Sequence, residues 1–139
     1  MSVDNVVRHY RQSQAKELLA RLEENESKPH TLALKPGLKE FIVRIQLSHE
    51  HHYNQIHELL EKSDFSRTIT TRDGFRRDLP HAMFYRSAAP ETGNREVFVA
   101  IHLLLEEHAK LHSLRNLNPQ IMVMDAKDLY LDLDRSTHP

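Results

Sequence analysis

Phe41-Ile42-Val43-Arg44-Ile45-Gln46-Leu47 is the stretch on which the fold turns. Phe41, Val43, Ile45 and Leu47 fall on one side and Ile42, Arg44 and Gln46 on the other, the two-residue period of a strand covered on one face. Ser48 follows as a candidate N-cap, and the apolar stripe Tyr53, Ile56, Leu59 and Leu60 predicts a helix running to about Ser63. Next come Arg67 to Thr71, rich in β-branched residues, the connection Arg72-Asp73-Gly74-Phe75, and a second apolar run from Ala82 to Tyr85. Together they predict a hairpin with a long connection. Past a loop marked by Pro90 and Gly93, the positions Val97, Ile101, Leu104, Leu105, His108 and Leu111 predict a second helix that ends before Asn118-Pro119. Ile121 to Met124 predicts a last short buried strand, and Lys127 to Leu133 a terminal turn of helix.

The order β-α-β-β-α-β predicts an α+β, ferredoxin-like domain with a four-stranded antiparallel sheet. Right-handed crossovers put both helices on one face and leave the other open unless an N-terminal helix or a second subunit covers it. In the other direction, Val3, Val6, Val7, Tyr10, Ala15, Leu18, Leu19 and Leu22 recur at three- and four-residue steps and predict an amphipathic helix over 3–25. Asn25 to Gly37 holds two prolines and the first glycine and reads as a connector. The chain thus divides into an N-terminal helix and connector (1–36) and a ferredoxin-like domain (37–139).

Its 139 residues, 39% of them hydrophobic, suit one modest core. A net charge of −1 gives no global argument for nucleic acid or membrane, so any such case rests on local patches. The absence of cysteine excludes disulfides, thiolate metal sites and cysteine catalysis. No apolar run approaches the roughly 20 residues of a membrane helix. Asp4 and Arg8 stand where a signal peptide needs apolar residues, so the cytoplasm is the expected compartment and no membrane partner is expected. Gly37, Gly74 and Gly93 fall between elements and make no phosphate-cradling loop; no cofactor is expected.

Two clusters carry chemistry. Eleven histidines include His49-Glu50-His51-His52 with His57 one turn on, and His108 with His112 at i and i+4. Imidazoles bind zinc, nickel or copper, but neighbours on a helix diverge, so solvated polar positions are the favoured reading and no metal is expected. The hairpin segment from Arg67 to Arg86 is locally basic: Arg67, Arg72, Arg76, Arg77 and Arg86 accompany Asp73, His81 and Phe75. Guanidinium groups match phosphates, and an aromatic among them can stack on an unpaired base. Asp73 and His81 could transfer protons while Arg76 and Arg77 stabilise phosphorane charge, the catalytic set of a ribonuclease; Arg67, Arg72, Phe75 and Arg86 would bind RNA. The competing reading is an edge hairpin defended by charge. The outward row Ile42, Arg44 and Gln46 lacks the paired aromatics of RNA-recognition modules.

From Phe41 to Leu133, about two-thirds of the chain, the sequence resembles the GhoS family of small ferredoxin-like endoribonuclease antitoxins. The matching strings are Phe41-Ile42-Val43-Arg44-Ile45, Ser63-Asp64-Phe65-Ser66, Asp73-Gly74-Phe75-Arg76 followed by Leu79, and Ile121-Met122-Val123-Met124-Asp125-Ala126-Lys127-Asp128-Leu129-Tyr130. The resemblance implies a cytosolic bacterial protein that binds or cuts single-stranded RNA, in that family a toxin transcript. The N-terminal helix and connector lie outside it.

The lead expectation is therefore an RNA-interacting protein, with a metal-independent endoribonuclease of antitoxin type as its catalytic form. The alternative is a non-enzymatic oligomeric or regulatory module, a homodimer or partner-binding protein that uses residues 3–25 and the sheet face.

Overall fold

The computed structural model describes residues 2–3, 13–24, 30–33, 35–127 and 129–137. The elements in chain order are α1 (Ser13–Glu24), β1 (His30–Thr31), β2 (Lys39–Gln46), a 3-10 turn (Glu50–His52), α2 (Tyr53–Lys62), β3 (Thr68–Thr70), β4 (Arg76–Asp78), β5 (Met83–Ala88), α3 (Asn94–Leu111), β6 (Gln120–Asp125) and β7 (Tyr130–Leu131). The class is mixed α+β. Of the N-terminal helix expected over 3–25, residues 4–12 and 25 lie outside the described residues, as do 25–29 and 34 of the expected connector.

The alternation in Phe41–Leu47 does what a two-residue period requires. Phe41, Val43 and Ile45 point to one side, where Ile56 and Leu60 of α2, Phe84 of β5 and Val97, Ile101 and Leu105 of α3 close over them. Full burial of each such side chain contributes about 1.5–3 kcal/mol, so this cluster fixes both helices on one face. β2 is the central strand, antiparallel to β5 on one edge and to β6 on the other, with Ile42 opposite both Tyr85 and Met124. α3 begins where the Gly93 N–H donates to the Glu96 carboxylate, half of a capping box.

Several expectations need correction. The central sheet holds three strands, β5-β2-β6, rather than four. β3 pairs instead with β4, a strand that falls inside the expected connection, and reaches the sheet through a single bridge between Ser66 and Tyr85. The cause is local. Gly74 at φ +86° turns the chain, the Asp73 carboxylate accepts from the Phe75 N–H, and the hairpin closes within Thr71–Phe75 instead of running on to Ala82. The helical turn expected over Lys127 to Leu133 is replaced at Tyr130–Leu131 by β7, paired with β1, so that residues 30–33 of the expected connector are built into the domain; residue 128 lies outside the described residues.

That pairing also covers half of the face expected to be open. Ile42 is buried there with Leu32, Ile69, Tyr85 and Ala126, flanked by Leu129, Leu131 and Leu133. At the other end of the same face Arg44 and Met122 stay exposed, so β6 is not buried on both sides. Ser48 does not cap α2; its hydroxyl donates to the Asn116 carbonyl and ties the loop before β6 to the end of β2. Among the described residues no helix is long and apolar enough to cross a membrane.

Candidate functional site

The alternation of β4 sorts the basic hairpin into two sides. Arg77 points inward and is almost wholly buried, while Arg76 and Asp78, its neighbours in sequence, point outward. The four residues expected to form one catalytic set are therefore divided between two places.

On the inner side Asp73 and Arg77 satisfy one another. The Arg77 Nη2 donates to Asp73 Oδ2 at 2.6 Å, its Nε to the Thr71 hydroxyl at 3.0 Å, and its Nη1 to the Leu133 carbonyl at 2.9 Å. Asp73 also accepts from the Thr71 hydroxyl at 2.6 Å and the Phe75 N–H at 3.2 Å, and His30 Nδ1 lies 3.4 Å away. Burial by itself would raise the Asp73 pKa, but the hydrogen bonds from Thr71, Phe75 and Arg77, with the Arg77 charge, outweigh it and hold the carboxyl at about 2. A carboxylate so held is a poor proton acceptor at neutral pH, and a guanidinium with all three nitrogens engaged has little to offer a phosphate. This pair clamps the hairpin turn to the C-terminal segment.

On the outer side Arg67, Arg76 and His81 line one cleft of about 660 Å³, between the end of α2 and the β3–β4 hairpin. Ser66, Thr68, Glu61 and Asp78 share its wall. Arg76 is steadied by a 3.1 Å hydrogen bond from Nη2 to the Thr68 hydroxyl, and neither Arg67 nor Arg76 forms an ion pair among the described residues. His81 is exposed, its ring packed 4.6 Å from that of Tyr53 and its Nε2 3.7 Å from the Glu50 carboxylate. Next to it His57 is buried, with no partner for its Nε2. Burial, then the nearby Arg67 charge and His81, push its pKa below the usual histidine value, so it stays neutral at pH 7. The cleft thus joins two planar cations with an accessible imidazole, suited to holding a phosphodiester and moving a proton beside it.

The other four expected RNA contacts are dispersed. Arg72 lines a separate small cavity with Lys127 and Tyr130. Phe75 sits near the hairpin tip with the Arg135 guanidinium 3.7 Å over its ring. Arg86 donates to the Ser87 carbonyl and lies over Phe65, on the helix side of the sheet. Only Arg67 of that group shares the cleft. Sequence reading missed Glu61 in the cleft and His30 and Thr71 in the clamp, and counted Asp78 only as a charge set against the arginines. Asp78 was legible in principle, two residues from Arg76, had Arg76–Asp78 been read as a strand.

The histidine turn brings rings together without building a metal centre. His51 and His52 lie 4.2 Å apart and His108 and His112 4.4 Å. Among the described residues no three His, Asp or Glu side chains gather in a way that could hold a metal ion. His52 and His108 both have lowered pKa values, first through burial and then through neighbouring histidines.

The chain matches no protein family, curated protein or solved structure with which it was compared.

Proposed function

We propose that the chain is a ferredoxin-like, RNA-interacting protein that holds single-stranded RNA in the Arg67–Arg76–His81 cleft and cuts it there without a metal, as a GhoS-type endoribonuclease does. One observation carries this reading: two arginines without ion-pair partners among the described residues and an exposed histidine line the same cleft. The fold supports it. What favours the ferredoxin-like part of the reading is the antiparallel order β6-β2-β5 with the Ser66 segment bridged to β5, the place a second strand of a βαββαβ domain would take.

In the proposed reaction His81 takes the proton of a ribose 2′-hydroxyl, and the 2′ oxygen bonds to phosphorus as the bond to the 5′ oxygen breaks. The leaving oxygen takes its proton from a water that the open position of His81 admits, and the hydroxide so formed takes the proton back from the His81 imidazolium, which restores the free base. Arg67 and Arg76 face the phosphorane charge. Asp73 and Arg77, expected from sequence to act in this step, are assigned to the clamp instead.

The test is a binding and cleavage assay of untagged protein on a pool of short single-stranded RNAs, at low salt with EDTA. Cleavage ending in 2′,3′-cyclic phosphates, lost in His81→Ala with binding retained, supports the enzyme. Binding without cleavage leaves an RNA-binding module. Neither binding nor cleavage at low salt, where phosphate contacts are strongest, sinks the reading.

A further inference from the structure

A second surface adjoins the cleft and shares only Phe65 with it. On the helix side of the sheet a groove of about 570 Å³ runs between the end of α2, β5 and α3; its apolar lining includes Phe65, Ala88, Val97, Leu103 and Leu104, and its charged lining is Glu96, Glu107 and Arg86. Val99 and Leu103 lie one turn apart on α3, and Leu111 two turns further on beyond Glu107; Leu103 and Leu111 are 60% and 74% exposed. An amphipathic helix normally buries such a row. α1 has the converse problem: Leu18 and Leu22, one turn apart, are 49% and 40% exposed.

We infer that α1 of one copy docks in the α3 groove of a second copy, and reciprocally, to form an exchanged homodimer. The two faces agree in chemistry. Leu18 and Leu22 match a mostly apolar groove, and α1 brings Lys16 and Arg21 to a lining where two carboxylates, Glu96 and Glu107, outnumber the one guanidinium of Arg86. The reach of the chain selects the second copy over the same one. Leu32, directly after β1, packs with Ile42 in the cluster on the far face of the sheet, whereas the groove lies on the helix face. Five residues separate Glu24 from His30, and fully extended they span about 20 Å. Two layers at about 10 Å each already use that length, and the chain would still have to round the sheet edge. A neighbouring copy has no such limit.

The experiment is sedimentation velocity of the full chain with two variants, Leu18→Glu/Leu22→Glu on the helix and Leu103→Glu in the groove. All three side chains are exposed in the monomer, and far-UV circular dichroism checks that each variant folds. The wild type is expected at twice the 16.3 kDa chain mass, and each variant at the monomer mass, with the dimer Kd raised about tenfold or more. Mixing the two variants restores dimers, because one helix and one groove remain intact across each mixed pair. Glu107→Arg weakens the dimer and Arg21→Glu restores it in the double variant. A monomeric wild type at 100-micromolar-order concentration overturns the proposal. So does a dimer indifferent to both variants, or a mixture that stays monomeric. None of these readouts involves RNA.

Discussion

The inner and outer sides of the β3–β4 hairpin use the same residue types for opposite ends. Inside, Arg77 and Asp73 are locked by one hydrogen bond to each other and four more to Thr71, Phe75 and Leu133. Outside, among the described residues, the guanidinium groups of Arg76 and Arg67 make a single hydrogen bond, from Arg76 to the Thr68 hydroxyl, and no ion pair. The difference comes from strand parity alone, since Arg76 and Arg77 are adjacent. An arginine contributes to stability when its donors are satisfied by the fold, and to binding when they are left for a ligand.

That contrast can be broken from either side. Arg77→Ala leaves Asp73 and the Leu133 carbonyl without their partner and should cost ~3–5 kcal/mol in urea unfolding; Arg77→Lys should restore little, since an ammonium cannot span the three acceptors. A loss under ~0.5 kcal/mol would erase the distinction. His81→Ala should leave stability and RNA binding near wild type and lower cleavage at least ~100-fold, read by single-turnover kinetics.

Acid should expose the clamp as well. Asp73 has its pKa lowered from an unfolded value of about 3.9 to about 2. Its stabilisation is therefore complete above the unfolded value and is lost as pH falls from there through about 2. Urea midpoints measured between pH 5 and pH 2 should fall, and the fall should flatten in Asp73→Asn. Smallest in free energy, Arg67→Ala and Arg76→Ala should each weaken RNA binding roughly tenfold while changing stability by less than ~0.5 kcal/mol. Each should also make binding less sensitive to salt, lowering the slope by ~0.7 for every phosphate no longer neutralised.

The fold was legible wherever burial imposed a period. Phe41–Leu47, the stripes of α2 and α3, and β6 were all read near their true positions. What escaped was set by side chains acting on the backbone at short range or by contacts distant in sequence. Asp73 closes a tight turn and so creates β4. β7 exists because residues 30–31 return to pair with it, about a hundred positions away. The covered half of the far face follows from that pairing, and no local pattern announces it.

The candidate site was legible in composition and illegible in arrangement. Arg67, Arg76 and His81 belong to the basic segment that sequence singled out, and they share a cleft. Asp73 and Arg77 belong to the same segment and turn away, because a one-residue step along a strand reverses the face. With Arg76 and Arg77 read as a loop, nothing in the sequence could tell them apart.

Fluorescence anisotropy of a short single-stranded RNA, titrated at low salt in EDTA with Arg76→Ala and with Arg77→Lys, tests the central claim most directly. The outer arginine should govern binding: Arg76→Ala loses about tenfold in affinity, and Arg77→Lys, studied under conditions where it remains folded, binds like the wild type. Equal binding by wild type and Arg76→Ala, or loss confined to folded Arg77→Lys, would contradict it.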